Sequence, residues 1–127
     1  MNKIKGKNKI LVIEDDKFLK KIYQTKLAFE GYEATIASNG EEGLEAIKRD
    51  KPDLILLDLL MPIKNGFEVL EEINKDKSLS SIPVIVASNL GQEADRQRIE
   101  GFGVKDFIVK SDITIQGIID KIKKLLV

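Results

Sequence analysis

A chain of 127 residues with no cysteine and no histidine has no thiol nucleophile, no imidazole base and neither of the commonest zinc ligands. Any chemistry falls to carboxylates, hydroxyls and lysines. The carboxylates stand at the ends of apolar runs: Asp58 follows Leu54-Ile55-Leu56-Leu57, and Glu14, Asp15 and Asp16 follow Ile10-Leu11-Val12-Ile13. Two more apolar runs end in Ser88 and in Lys110. An Asp beyond a strand can simply cap the next helix, and that reading stays open for Asp58 taken alone. For the triplet, capping explains Asp16 well but not readily all three acids. Carboxylates brought together repel unless a cation joins them, and an all-oxygen cluster suits magnesium, which takes one or two protein carboxylates and keeps several waters. A hydroxyl and an ammonium beside such a cation describe a site for a phosphoryl group. Asp58 is then the nucleophile left over, one that would form an acyl phosphate.

The elements that must position these groups follow from hydrophobic periodicity. Lys9 to Ile13 reads as a short strand. Phe18, Leu19, Ile22, Tyr23 and Leu27 recur at helical spacing, and Gly31 is a left-handed stop, which predicts a helix over 17–30. Glu33 to Ala37 reads as a strand, and Ser38-Asn39-Gly40 turns into a short helix through Leu44, Ala46 and Ile47. Leu54 to Leu57 lacks polar alternation, as a central parallel strand covered on both faces should. Phe67, Leu70 and Ile73 outline the next helix, and Pro83 opens a strand from Val84 that delivers Ser88. The segment Gln92 to Glu100 is helical in character but nearly without apolar residues, chiefly Ala94 and Ile99, so it should pack weakly and move most easily. Phe107 to Val109 forms a last strand ending in Lys110, and Ile115, Ile118, Ile119, Ile122, Leu125 and Leu126 make a closing helix. Strand and helix alternating five times means an α/β doubly wound sheet. Right-handed crossovers then place every polar strand ending on one edge, the edge where such sheets bind ligands.

Composition excludes several classes. The length suits one domain with a real core. With 21 basic and 21 acidic residues the formal net charge is zero, so nothing global recruits nucleic acid or an anionic membrane. The lysine-rich start, 1–8, reads as a flexible polar lead-in, leaving 9–127 as the folded domain. The four-residue apolar run after it ends in acids and is no signal peptide. No apolar run approaches a membrane span, so a cytoplasmic protein is expected.

These residues resemble the receiver domains of two-component response regulators over nearly the whole chain. Ile-Leu-Val-Ile-Glu14-Asp15-Asp16 looks like the family's acidic pocket, and Leu-Ile-Leu-Leu-Asp58-Leu-Leu-Met61-Pro62 like its phosphoacceptor strand and loop. Val84 to Ser88 looks like its hydroxyl strand and Phe107-Ile-Val-Lys110 like its lysine strand. The resemblance implies a five-stranded parallel sheet in the flavodoxin-like order 2-1-3-4-5, carried over from the family rather than read from spacing. It implies that Asp58 is phosphorylated from a sensor histidine kinase or a histidine phosphotransfer protein. Magnesium, for which manganese can substitute, would be held by Asp15, Asp58 and the backbone carbonyl of Leu60, with Glu14 acting through water. Ser88 and Lys110 would bind phosphoryl oxygens, and Ser88 with Phe107 would form the switch. Leu60, Asn89 and Leu90 would tune the lifetime of the phosphoryl group, since side chains there flank the route of the attacking water and both leucines are apolar.

Three departures from the family pattern stand out. Ser111 follows Lys110 where the family usually has a cis proline, Ile63 replaces a frequent glycine, and Asn89 replaces Ala or Gly. A phosphohydrolase of the haloacid dehalogenase type would need an acid two residues beyond its nucleophile, where this chain has Leu60. A dinucleotide-binding reading fails because Gly101 and Gly103 lack a third glycine, Asp106 taking its place. A pseudo-receiver that binds protein without being phosphorylated is the alternative that keeps the fold. The expectation is a single-domain switch that is not an enzyme, decays slowly and signals through its own surface to a downstream protein. A phosphorylation-linked homodimer is left open.

Overall fold

The computed structural model describes residues 8–90 and 93–126, so most of the expected lead-in, Gln92 and Val127 lie outside the described residues. Five strands, β1 (Lys9–Ile13), β2 (Glu33–Ala37), β3 (Leu54–Leu57), β4 (Val84–Ser88) and β5 (Asp106–Val109), alternate with five helices. The helices are α1 (Lys17–Phe29), α2 (Gly40–Arg49), α3 (Gly66–Lys75), α4 (Glu93–Glu100) and α5 (Ile115–Leu125). All neighbouring strands are parallel, in the order β2-β1-β3-β4-β5.

Side chains of successive strand residues point to opposite faces and build two cores. Leu11, Ile13, Ile55, Leu57, Val84 and Val86 pack with α2 and α3 through Leu44, Ile47, Phe67, Val69, Leu70 and Ile73. Ile10, Val12, Leu54, Leu56, Ile85 and Ile108 pack on the other face with Tyr23 and Leu27 of α1 and Ile118, Ile119 and Ile122 of α5. Every residue of β3 is buried, as its unbroken apolar run requires, whereas Glu33 and Thr35 of the edge strand β2 stay exposed. Helix starts are capped by side chains: Asp16 accepts from the N–H groups of Phe18 and Leu19, and Asn39 from that of Glu42. Asn65 and Glu68 form a reciprocal capping box at α3.

Two expected packing stripes are narrower than their periodicity implied. Of the α1 set only Tyr23 and Leu27 are buried; Phe18 is 74% exposed. On α5 the buried set is Ile118, Ile119 and Ile122, and Leu125 is exposed. Spacing marks which residues share a face, but towards the helix ends burial is only partial: Leu19, Ile115 and Leu126 pack against the rim of the core, while Phe18 and Leu125 stay exposed. Helix α4 carries one buried residue, Ile99, while Ala94 is exposed. Two guanidinium–ring stacks supplement that contact: Arg96 lies 4.9 Å from the centroid of Phe107, and Arg98 3.9 Å from that of Phe67.

Among the described residues every peptide bond is trans, and Lys110–Asp112 turn as a short 3-10 helix. Ile63 and Lys64 both take positive φ, 49° and 69°, a left-handed conformation that costs a β-branched residue most. Ile63 is exposed, so no packing is lost on truncating it. Relief of about 1–2 kcal/mol of strain, less glycine's larger unfolded-state entropy, predicts that Ile63→Gly stabilises the fold by about 0.5–1 kcal/mol. Urea unfolding of the two proteins checks this, and a lower midpoint for the glycine variant would contradict the strain.

Candidate functional site

The register of the parallel ladders aligns the carboxyl ends of four strands. Ile13 pairs with Leu57, Leu57 with Val86, and Ser88 with Val109. The ladder runs one step past the strands, for the Asp58 N–H donates to the Ile13 carbonyl at 3.0 Å and the Glu14 N–H to the Ala37 carbonyl at 3.0 Å. Backbone bonds thus fix Glu14 and Asp58 side by side before their side chains meet anything. Both are buried, while Asp15 is exposed at the mouth. Carboxylate oxygens of Glu14, Asp15 and Asp58 lie within 4.8 Å of one another. A set of hard anionic oxygens at that spacing, open on one side, fits magnesium or manganese and gives a soft metal nothing to bind.

Lys110 reaches into this cluster from the end of β5. Its Nζ lies 2.6 Å from Glu14 Oε1 and 3.4 Å from Asp58 Oδ2, so the ammonium rests chiefly on Glu14. The other Glu14 oxygen accepts from the Asp16 N–H at 3.2 Å. Even so, the Glu14 carboxyl is held above the usual carboxylate range: burial is the main cause, the neighbouring Asp58 charge adds to it, and the Lys110 contact and the Asp16 N–H oppose it. Asp58 Oδ1 lies 3.4 Å from the Leu60 N–H. Ser88 is wholly buried, and its Oγ accepts from the Leu90 N–H at 3.3 Å. Leu60 and Asn89 are exposed, Leu90 is half-buried against the α2–α3 core, and Phe107 is buried beneath Arg96. Glu14, Asp15, Asp58 and Lys110 are therefore gathered at one point, with Ser88, Leu60, Asn89 and Leu90 on the same sheet edge.

The sequence matches the family described as response regulator receiver domain over residues 10–123. The chain belongs to that family. It is 37% identical over 107 residues to a probable transcriptional regulator, ycf27, of Guillardia theta, covering 84% of this chain and 41% of the relative. It is 32% identical over 117 residues to the polar-differentiation response regulator DivK of Brucella anthropi, covering 92% of this chain and 94% of that protein. The chain thus spans about two-fifths of the length of ycf27. Among solved structures it is similar to the phosphorylated cyanobacterial phytochrome response regulator RcpA, with a TM-score of 0.76, 34% identity, and 83% of this chain and 81% of that one covered. As a receiver domain it is a part of two-component signalling; the family acts as a signalling phosphoacceptor rather than an enzyme, binds magnesium at its acidic pocket and meets histidine kinases or phosphotransfer proteins.

Sequence reasoning placed Tyr23 in the receiver's core and overlooked its surroundings. Burial pushes its phenol far up, and the charges of Glu14 and Asp58 add to the effect. It also lines a cleft of about 210 Å³ beside Lys110, with Leu19, Asn89 and Ser111. Helical spacing reports only that Tyr23 faces inward, and the acids whose charge it feels stand at the ends of two strands.

A raised pKa at Glu14 means that the folded state holds this proton more tightly than the unfolded chain does. Ionising Glu14 costs stability: nothing below the ordinary carboxylate range, an increasing amount as pH rises through it, and the full amount above the raised value. In buffer with chelator, Glu14→Gln should be more stable than the parent at pH 7, by a margin that shrinks as the pH is lowered. Urea midpoints across that range measure it, and an equal or lower midpoint at pH 7 contradicts it.

Proposed function

We propose that Asp58 accepts a phosphoryl group from a histidine kinase or a histidine phosphotransfer protein, and that the phosphorylated domain signals through its own surface to a downstream protein in the cytoplasm. The observation that carries this reading is the convergence of Glu14, Asp15 and Asp58, with Lys110 3.4 Å from Asp58, at the carboxyl edge of the sheet. In the transfer, an Asp58 carboxylate oxygen bonds to phosphorus as the bond from phosphorus to the donor's histidine nitrogen breaks. The electron pair of that bond stays on the nitrogen, and the product is an acyl phosphate. Asp15, Asp58 and the Leu60 carbonyl would hold magnesium directly and Glu14 through water; the ion supplies positive charge to the phosphoryl oxygens when bound.

The chain's own residues have separate tasks in this reading. Lys110, resting on Glu14, is close enough to turn to the new phosphoryl oxygens, and Ser88 Oγ would leave the Leu90 N–H to do the same. Phe107 would follow Ser88 and carry the change to α4 and α5. Phe18, Leu60 and Ile63 are exposed on the loops and helix start at this edge and offer an approaching partner apolar contact. No helix among the described residues is long and apolar enough to cross a membrane.

Incubation with a small acyl phosphate donor and magnesium should add one phosphoryl group, seen by mass spectrometry, and chelation should prevent it. An Asp58→Asn protein that gains the same label would refute the assignment, and a parent that never labels would favour a pseudo-receiver.

The lifetime of that group is set, on this reading, by what stands in the path of the attacking water. Neither Leu60 nor Leu90 can orient a water, and Asn89 narrows the way, so self-dephosphorylation should be slow for a receiver. Leu60→Asn with Leu90→Glu should speed phosphoryl loss by about 10²-fold, the low end for a group that assists proton transfer, with little change in magnesium affinity. Decay of the label over time tests this, and a double variant as slow as the parent would rule out an apolar shield.

A further inference from the structure

One donor in the proposed metal site is not a side chain. The Leu60 carbonyl cannot be re-aimed by a rotamer change; its direction depends on the φ and ψ angles of the loop from Asp58 to Asn65. That loop contains the two successive positive-φ residues, Ile63 and Lys64. Strain of this kind persists only where surrounding contacts over-determine the backbone.

The contacts that hold the loop come from two helix starts, each at a glycine. Within α3, the Gly66 N–H donates to the Leu59 carbonyl at 3.1 Å, and a Cβ on Gly66 would fall 2.5 Å from the Asp58 carbonyl oxygen. The second contact comes from outside. The Gly40 N–H, in the first turn of α2, donates to the Lys64 carbonyl at 3.1 Å, and a Cβ there would overlap that same oxygen and meet Val69 Cγ2 at 2.8 Å. Gly40 is buried, although it carries no side chain to bury. The Asn39 side chain, accepting from the Glu42 N–H at 2.9 Å, fixes the turn that presents it. Lys64 is tied a second time by its Nζ, 3.3 Å from Glu72 Oε2, but that ion pair lies at the surface and is weak.

We propose that Gly40 is a positioning residue for the metal site: by clamping the Lys64 carbonyl from α2 it holds the strained loop in the conformation that presents the Leu60 carbonyl beside Asp58. Helix α2 contributes no group to the site itself, so sequence motifs pass over it. The inference rests on the function proposed above. It explains why two left-handed residues, one of them β-branched, are sustained in a loop that Ile63 leaves exposed. It also explains why an N–H at a helix start is directed to a loop carbonyl rather than to solvent.

The test is magnesium binding by the unphosphorylated full chain, measured by calorimetry with the metal alone and followed by amide shifts of residues 58–66. Gly40→Ala removes the close approach; Asn39→Ala inserts no atoms and only loosens the first turn of α2. Ile122→Val, a buried truncation on α5, matches the stability loss without touching the loop. The clamp predicts about a tenfold weakening for Gly40→Ala, the lower end for loss of a contact that supports a metal site, a smaller one of about threefold for Asn39→Ala, and none for Ile122→Val. Shifts should move at residues 60–65 in the first two variants only. If Gly40→Ala does not fold, Asn39→Ala decides. Parent-like affinity in folded Asn39→Ala, or equal weakening in Ile122→Val, overturns the clamp alone. A parent that binds no magnesium overturns both the clamp and the function it rests on.

Discussion

Two buried carboxylates on neighbouring strands, Glu14 and Asp58, share one ammonium, which stands 2.6 Å from the first and 3.4 Å from the second. The strands leave the acids no room to separate, because the N–H of Asp58 is bonded to the carbonyl of Ile13, the residue immediately before Glu14. Two like charges at that spacing in a poorly solvated place must take up a proton or find a cation. Lys110 is the cation the chain carries with it, delivered from the far side of β4. Its ladder position relative to the acids therefore depends on the register of the four strands β1, β3, β4 and β5. A one-residue slip of β5 would move Phe107 from the α2–α3 core to the opposite face of the sheet and strand the acids without a counter-charge.

That dependence explains how much of the site was legible in the sequence. Buried parallel strands are continuous apolar runs, so their ends are visible as the points where polarity returns. At Glu14, Asp58, Ser88 and Lys110 the polar residue follows directly, with no turn residues between. Parallel crossovers then bring those ends to one edge whatever the length of the connecting helices. The helix stop and the first cap were legible for a similar reason, since Gly31 acts through its own φ angle and Asp16 through its own side chain. What spacing could not supply was the partner across space. It could not say that Lys110 rests on Glu14 more closely than on Asp58, that Tyr23 feels the charge of both acids, or that Gly40 meets the Lys64 carbonyl. Each of these joins residues from different elements, and each is decided by packing.

Helix α4 shows the same limit from the other direction. Its sequence has almost no apolar stripe, and a helix of eight residues with one buried side chain would be poorly attached. Arg96 and Arg98 alter that without changing the polarity of the sequence. Each lays a planar guanidinium on a ring that is itself in the core, Phe107 of β5 and Phe67 of α3, and leaves its charge near solvent. Attachment of this kind differs from burial in one useful respect. An aliphatic contact resists any displacement, because every direction of motion opens a gap, whereas a stacked guanidinium can slide across a ring face at small cost. On the proposed function, Phe107 is the residue that moves when Asp58 is phosphorylated. The helix that must respond is thus held through that residue's own ring, so a change in the ring's position reaches α4 by direct contact rather than through intervening core.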